Sequence, residues 1–166
     1  MASAEPARRP ASRAWLAAGG VALLVVALDQ LSKHLVRTSI TPGDEDRFLP
    51  GIELVNTRNR GVAFGVLTGS DVGVTILIAA ALVVLLIYFA RHLDKPLIWL
   101  PTGMLLGGAI GNVIDRIRAG SVTDFIKVPL GWPPFNIADA SITLGILALV
   151  IVVDRGRHRD EPPGAP

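Results

Sequence analysis

The chain has 166 residues, of which 51% are hydrophobic and 18% are charged, and its formal net charge is +2. A mean hydropathy of +0.51 indicates a membrane protein, and the length favours one compact unit over two domains with separate cores. Because the basic residues lie in short clusters beside apolar runs, an extended nucleic-acid face is excluded. The absence of cysteine excludes disulfides and a thiol nucleophile.

Four apolar segments are long enough to cross a bilayer as helices, since about 20 residues span a hydrocarbon core of about 30 Å. A cleavable signal peptide is the alternative for the first, but helical periodicity continues through Asp29 and Lys33 without a clear cleavage site. The third carries Gly103, Gly107 and Gly111, whose spacing predicts close packing against a neighbouring helix. The segments run from Ala14 to about Val36, from Val72 to Ala90, from Leu97 to about Ile114, and from Phe135 to Val153.

A polar insertion at residues 38–71 separates the first two segments. Turn signals near Pro42 and Gly43 and an alternating stretch from Phe48 to Val55 predict a few short strands on the outer surface. Loops of this length are usually functional. The part from Asn59 to Gly65 suits contact with a substrate, although an ordinary amphipathic turn has the same composition.

Several polar residues fall within or beside the predicted helices. Asp29 and Lys33 stand four positions apart, hence on one helix face, where they can form an ion pair. Asn112, Asp115 and Arg116 lie near the end of the third helix, where the last two also suit a simple helix-end arrangement.

Two aspartates, Asp124 and Asp139, flank the link into the last apolar segment. If the third and fourth helices are antiparallel, these carboxyl groups meet near one membrane surface, with Asn112 and Asn136 as hydrogen-bonding neighbours. Ionisable groups at membrane depth usually mark function, and paired carboxylates suit an aspartic protease. A proton or ion relay and structural helix caps are the alternatives, and spacing alone does not decide among them.

Two rival functions compete with the aspartic protease. A Ser/Lys peptidase would pair Lys33 with Ser32 or Ser141, but Ser32 and Lys33 are adjacent and do not share a helix face. A small proton-coupled transporter would use the aspartates as a relay. The histidines are too widely separated for a local metal-ligand pair, which disfavours a zinc protease; they are His34, His92 and His158.

Five motifs, in this order, resemble the bacterial lipoprotein signal peptidase family, signal peptidase II. The resemblance covers roughly residues 15–153. It implies an aspartic endopeptidase that removes the signal peptide from prolipoproteins whose lipobox cysteine carries a diacylglyceryl group. The motifs are Asp29-Gln-Leu-Ser-Lys33, Asn59-x-Gly-x-Ala-Phe-Gly65, Gly111-Asn-x-x-Asp-Arg116, Gly120-x-Val-x-Asp-Phe125 and Phe135-Asn-x-Ala-Asp139.

The same resemblance implies roles for individual residues. Asp124 and Asp139 would form the catalytic dyad. Asn59, Gly61, Asn112, Arg116 and Asn136 would shape the site and contact substrate, with Asp29, Lys33 and Asp115 in support. We expect no cofactor or metal ion, no nucleic-acid partner, and a monomer in contact with membrane lipids.

The expected fold is an all-α membrane protein with four transmembrane helices and a small extracytoplasmic β-rich insertion between the first two. Residues 1–13 and 154–166 are expected to be cytoplasmic tails, the second disordered, around a peptidase domain at residues 14–153. Lysine and arginine are equally numerous on the two predicted sides, so charge does not fix the orientation. The resemblance implies a bacterial inner-membrane protein with both termini in the cytoplasm and its site near the outer leaflet.

Overall fold

The computed structural model describes residues 11–60, 71–93, 95–129 and 131–160, with the side chains of residues 71–79 and 156–160 excepted. Within these ranges the chain forms helices and a small antiparallel sheet. The helices are α1 (Ala11–Ser39), α2 (Asp71–Arg91), α3 (Trp99–Ala119) and α4 (Ile137–Asp160), and the strands are β1 (Glu45–Leu49), β2 (Ile52–Asn59) and β3 (Val122–Lys127).

Two of the described helices, α1 and α4, are long and apolar enough to cross a membrane. Both expose large apolar side chains, among them Leu23 and Leu24 on α1 and Leu147 and Val150 on α4. Water would solvate such continuous apolar surfaces poorly, whereas lipid chains match them. The structure is therefore helical with outward apolar faces, as expected of a membrane protein.

Helix α3 packs closely between α1 and α4, and its glycines explain why. A Cβ atom at Gly107 would lie 2.7 Å from the carbonyl oxygen of Ala22 on α1. A Cβ atom at Gly108 would lie 2.5 Å from the carbonyl oxygen of Ala138 on α4. Gly103 makes a similar close approach to α1, so the predicted packing face is confirmed.

The sheet has the strand order β1-β2-β3, with both pairs antiparallel. The turn between β1 and β2 places Gly51 at φ 81°, a left-handed conformation that glycine adopts without strain. Phe125 of β3 is buried with Val36 and Ile40 at the end of α1. The sheet is thus attached to the end of α1 that leads into the insertion.

The predicted strands in the insertion are confirmed by β1 and β2, but the expected all-α fold class missed β3. After α3 the chain turns at Gly120, at φ 64°, whose N–H donates to the carbonyl of Arg116, and β3 begins at Val122. Residues 122–125 are all buried, so the period-two alternation that identifies a half-exposed strand is absent. The sheet is therefore built from two separate parts of the chain, the insertion between α1 and α2 and the segment between α3 and α4.

Helix boundaries also differ from the predictions. Helix α4 continues to Asp160, so the predicted disorder from residue 154 is wrong for its first part. Extending an existing helix costs little compared with nucleating one, and the arginines near this end suit a helix C-terminus. Helix α1 already begins at Ala11, and α3 passes the predicted end at Ile114 to reach Ala119.

Candidate active site

Asp124 lies on β3, opposite Thr57 of β2. The hydroxyl of Thr57 donates to the Asp124 carbonyl at 2.9 Å, which fixes the strand locally. The side-chain amide of Asn59, two residues further along β2, donates to Asp124 Oδ2 at 2.9 Å. The carboxyl group is only 3% exposed, so the sheet holds it in a buried position with a defined hydrogen-bond donor.

Asp139 lies in the first turn of α4 and forms a capping box with Asn136. Asn136 Oδ1 accepts the Asp139 N–H at 2.9 Å, and Asp139 Oδ2 accepts the Asn136 N–H at 3.3 Å. This reciprocal pair satisfies two backbone donors that a helix start leaves without intrahelical partners. The carboxylate also lies at the positive end of the helix dipole. Its position follows from how α4 begins.

Asn136 also connects Asp139 to Asp124. Because its Oδ1 accepts the backbone N–H of Asp139, its Nδ2 points the other way and donates to Asp124 Oδ1 at 2.6 Å. Phe135 pairs with Ile126 of β3 through backbone hydrogen bonds at 2.8 and 3.0 Å, which brings Asn136 beside the strand. The two aspartates are therefore neighbours despite their separation in sequence.

Asn112 of α3 also holds the carboxylate of Asp139. Its Nδ2 donates to Asp139 Oδ1 at 2.8 Å, and its Oδ1 accepts from Lys33 Nζ at 3.0 Å. Arg116, one turn later, donates to the Asn112 carbonyl at 3.3 Å. Both carboxylate oxygens of Asp139 thus accept a hydrogen bond, one from a side chain and one from the backbone.

A buried ionic cluster lies behind these residues. Lys33 Nζ is 2.8 Å from Asp29 Oδ2 and 3.2 Å from Asp115 Oδ2, and all three side chains are at most 2% exposed. Asp29 Oδ1 accepts the Ala138 N–H at 2.9 Å, which ties α1 to the start of α4. Asp115 Oδ2 accepts the Thr123 N–H at 3.1 Å, which ties α3 to β3. The predicted Asp29–Lys33 pair is confirmed, and it belongs to a larger network.

Two members of this network were missed from the sequence. Arg37 Nη1 lies 3.5 Å from Asp115 Oδ1 and 3.1 Å from Thr123 Oγ1. Its position continues the four-residue spacing of Asp29 and Lys33, and that repeat was the signal available in the sequence. Gln30 donates to both Asp29 and Asp115 at 3.2 Å, and no pattern indicated its role.

The electrostatics of the site favour proton binding at Asp124. Burial raises the pKa of the Asp124 carboxyl from its ordinary 3.8 to about 6, although the hydrogen bond from Asn59 lowers it. The neighbouring Asp139 carboxylate contributes to the rise, because two negative charges close together repel. Protonation of the two groups is therefore coupled, and such a pair can hold one proton between them.

The two serines of the rival Ser/Lys peptidase have other hydrogen-bond partners. Ser32 Oγ donates to the Asp29 carbonyl at 2.9 Å and Ser141 Oγ donates to the Met104 carbonyl at 3.0 Å, so both hydroxyls bond the backbone. Among the side chains that the structure describes, which belong to residues 11–60, 80–93, 95–129 and 131–155, no three histidine or acidic groups are placed to hold a metal ion. Gly61, which the family resemblance assigns to the substrate site, and Gly65 of the same segment lie outside the described residues.

Solved structures resemble this arrangement over most of the chain. A bacterial membrane enzyme determined by the in meso method at 2.3 Å resolution matches with a TM-score of 0.80 and 29% identity, covering 93% of this chain and 95% of that one. A second, determined in the same way at 1.9 Å, gives a TM-score of 0.75 and 31% identity over 86% of this chain and 92% of that one. The fold is therefore that of known membrane enzymes.

Sequence comparisons identify the family. The lipoprotein signal peptidase of Moorella thermoacetica is 40% identical over 151 residues, which cover 86% of this chain and 97% of that protein. That of Syntrophomonas wolfei is 41% identical over 144 residues, covering 86% of this chain and 95% of that protein. The profile of the family described as Signal peptidase (SPase) II matches residues 21–154. The chain therefore belongs to the signal peptidase II family of aspartic-type proteases.

Proposed function

We propose that this protein is an intramembrane aspartic endopeptidase that cleaves diacylglyceryl-modified prolipoproteins on the N-terminal side of the lipobox cysteine. Membership of the signal peptidase II family supports removal of a lipoprotein signal peptide. The observation that carries the assignment of the site is that Asp124 and Asp139 both hydrogen-bond Asn136, at 2.6 and 3.3 Å. Asp124 and Asp139 are the catalytic dyad in this proposal.

The reaction follows from the chemistry of two carboxyl groups that share one proton. The ionised carboxylate takes a proton from water as the water oxygen attacks the scissile carbonyl carbon, while the protonated carboxyl donates to the carbonyl oxygen. The resulting tetrahedral intermediate collapses with cleavage of the C–N bond, and the leaving nitrogen receives a proton from the dyad. Water is consumed, and the dyad returns to its one-proton state.

The neighbouring amides support this chemistry by holding the carboxyl groups without adding charge. Asn59 donates to Asp124 and Asn112 donates to Asp139, at 2.9 and 2.8 Å. Neutral donors orient a carboxyl group yet leave its proton exchangeable, whereas a direct contact with a cation would favour permanent ionisation. Arg116 and Gly61 are proposed to help shape the substrate site.

For the membrane arrangement, we propose that α1 to α4 all cross the bilayer, with both termini in the cytoplasm, the dyad near the outer leaflet and the protein acting as a monomer. Asp124 and Asp139 lie at the end of the helices that carries the sheet, which supports one common outer surface for both. The chain contains no cysteine, so single-cysteine labelling is free of background. In intact cells, a membrane-impermeant maleimide should label Asp44→Cys and leave Lys95→Cys unlabelled, and the reverse pattern would invert the orientation.

Cleavage of a synthetic prolipoprotein peptide carrying a diacylglyceryl cysteine tests the proposed activity directly. Purified protein in detergent should release the peptide N-terminal to that cysteine, with or without a chelator. Asp124→Asn and Asp139→Asn should each lower kcat by roughly 10³-fold or more, since groups that act as a unit lose function together. If either variant still cuts at the wild-type rate, the assignment of the dyad is wrong, and the two aspartates have a structural or proton-relay role instead.

A further inference from the structure

Lys33 is a fully buried lysine whose hydrogen-bonding capacity is fully used. An ammonium group has three hydrogens, and Lys33 Nζ has three acceptors: Asp29 Oδ2 at 2.8 Å, Asp115 Oδ2 at 3.2 Å and Asn112 Oδ1 at 3.0 Å. The two carboxylates account for its charge, since a buried cation requires paired anions. The third acceptor is a neutral amide that touches the proposed dyad.

The contact with Lys33 determines which way the Asn112 amide faces. An ammonium group donates and never accepts, so Asn112 must turn its oxygen toward Lys33 and its nitrogen away. That nitrogen then donates to Asp139 Oδ1 at 2.8 Å. A flipped amide would place an N–H₂ against the ammonium and an oxygen against the carboxylate, and both contacts are repulsive. Asn136 Nδ2 also lies 3.3 Å from Asn112 Oδ1, but its shorter bond, at 2.6 Å, is to Asp124.

We propose that Lys33 is a positioning residue for the proposed dyad, acting through the side chain of Asn112 to keep a hydrogen-bond donor aimed at Asp139. This inference rests on the proposed function, because it assigns a role relative to Asp139 as a catalytic carboxylate. Lys33 does not touch the substrate in this scheme. It keeps the carboxylate of Asp139 in one orientation by keeping the amide next to it from rotating.

A purely structural role for Lys33 has to be separated from positioning. Lys33 also neutralises Asp29 and Asp115. Replacing Lys33 alone would leave both buried carboxylates without the ammonium group that they contact. The charge-balanced variant Asp29→Asn/Lys33→Met avoids this problem. Asparagine at position 29 keeps an oxygen for the Ala138 N–H, and Asp115 keeps its contacts with Arg37 and Thr123.

The experiment is a mutant cycle between the charge-balanced variant and Asn112→Ala, with kcat and KM measured on the diacylglyceryl peptide and unfolding temperature measured in the same detergent. If Lys33 acts through Asn112, the charge-balanced variant should lose kcat by roughly tenfold to a hundredfold, with KM nearly unchanged. Adding Asn112→Ala should then cause no further loss beyond that of Asn112→Ala alone, because the two changes remove one interaction.

Lys127→Met is the matched control. Lys127 also contacts two carboxylates, Glu45 at 2.6 Å and Glu53 at 3.2 Å, but it is exposed and does not contact the dyad amides. Its kcat and KM should equal those of the wild type. A second charge-balanced pair, Asp29→Asn/Lys33→Leu, keeps the test available if the methionine pair fails to fold.

Two results would overturn the proposal: a charge-balanced variant with wild-type kcat, or losses that multiply when Asn112→Ala is added. If the first result is accompanied by a lower unfolding temperature or a higher KM, Lys33 has a structural role only. The Asp124→Asn and Asp139→Asn variants separate these results from failure of the proposed function. If those two variants remain inactive while Lys33 and Asn112 act independently, the positioning role fails and the dyad stands.

Discussion

Asn136 and Asp139 hold each other in place through two reciprocal hydrogen bonds at the start of α4, with lengths of 2.9 and 3.3 Å. The same asparagine donates its Nδ2 to Asp124 at 2.6 Å. Its oxygen is committed to the helix and its nitrogen to the strand, so neither bond forms correctly if the amide flips. One side chain thus links helix capping to the geometry of the two carboxyl groups.

Substitutions of Asn136 should separate these two roles. Asn136→Ser keeps an oxygen that can cap α4 but removes the donor to Asp124, whereas Asn136→Ala removes both. We predict that the serine variant is more stable than the alanine variant by about 1 kcal/mol, while both lose kcat by roughly tenfold or more. Thermal unfolding in detergent and steady-state cleavage provide the two readouts. Wild-type kcat in the serine variant would contradict the role of the Asn136–Asp124 bond.

Asp124 should make stability depend on pH. Its pKa is raised from 3.8 to about 6 in the folded protein, so the folded state binds this proton more tightly than the unfolded chain. The resulting stabilisation is complete below about pH 3.8 and is lost as the pH rises through about 6. Asp124→Asn has no such titration. The wild type therefore loses stability relative to Asp124→Asn as the pH rises. We predict that the difference in free energy of unfolding between the two proteins shifts by about 2 to 3 kcal/mol in favour of the variant between about pH 4 and pH 7.

Denaturation of both proteins across this pH range measures that difference. Ser141→Ala, which changes no titratable group, is the control, and its difference from the wild type should stay constant across this range. If the difference in free energy of unfolding between Asp124→Asn and the wild type does not change with pH, Asp124 has the same pKa in the folded and the unfolded protein.

Gly111 should tolerate no side chain, because a Cβ atom there would lie 2.7 Å from Asp29 Oδ2. Gly111→Ala would push this carboxylate away from Lys33, and we predict a loss of more than about 2 kcal/mol in the free energy of unfolding. Gly20→Ala is the matched control on α1, since its Cβ would meet no atom within 4 Å. Alanine there should stabilise the helix by about 0.5 to 1 kcal/mol. Equal effects of the two changes would refute this account of the close approach.

Ser141 tests the rival Ser/Lys mechanism. Its hydroxyl donates to the Met104 carbonyl at 3.0 Å, which is a packing role between α4 and α3. Ser141→Ala should reduce stability by about 1 kcal/mol and leave kcat for the diacylglyceryl peptide unchanged. Complete loss of cleavage in a folded Ser141→Ala protein would instead support a serine nucleophile.

The structural features that depend on local spacing were predictable from the sequence. Asp29 and Lys33 lie one helical turn apart, and their pairing at 2.8 Å follows from that periodicity. The glycine spacing on α3 similarly predicted where α1 approaches. The strands of the insertion were recognisable from turn residues and alternation.

The features that were not predicted depend on contacts between residues far apart in the chain. Lys33 meets Asn112 across 79 positions, and nothing in the local pattern around either residue indicates the other. Strand β3 was not predicted, because both of its faces are buried and its sequence lacks the alternation of apolar and polar residues that marks a half-exposed strand. Sequence spacing could place Asp124 and Asp139 near one membrane surface, but the amides that hold them depend on how α1, α3 and β3 meet.

The backbone pairing between Ile126 and Phe135 closes the chain between them into a loop. The connection between Lys127 and Phe135 is held at one end by β3 and at the other by this backbone pairing, so its length can change without moving Asp124 on one side or Asp139 on the other. The connection is therefore a suitable place to insert an epitope or a fluorescent-labelling sequence without disturbing the two carboxyl groups.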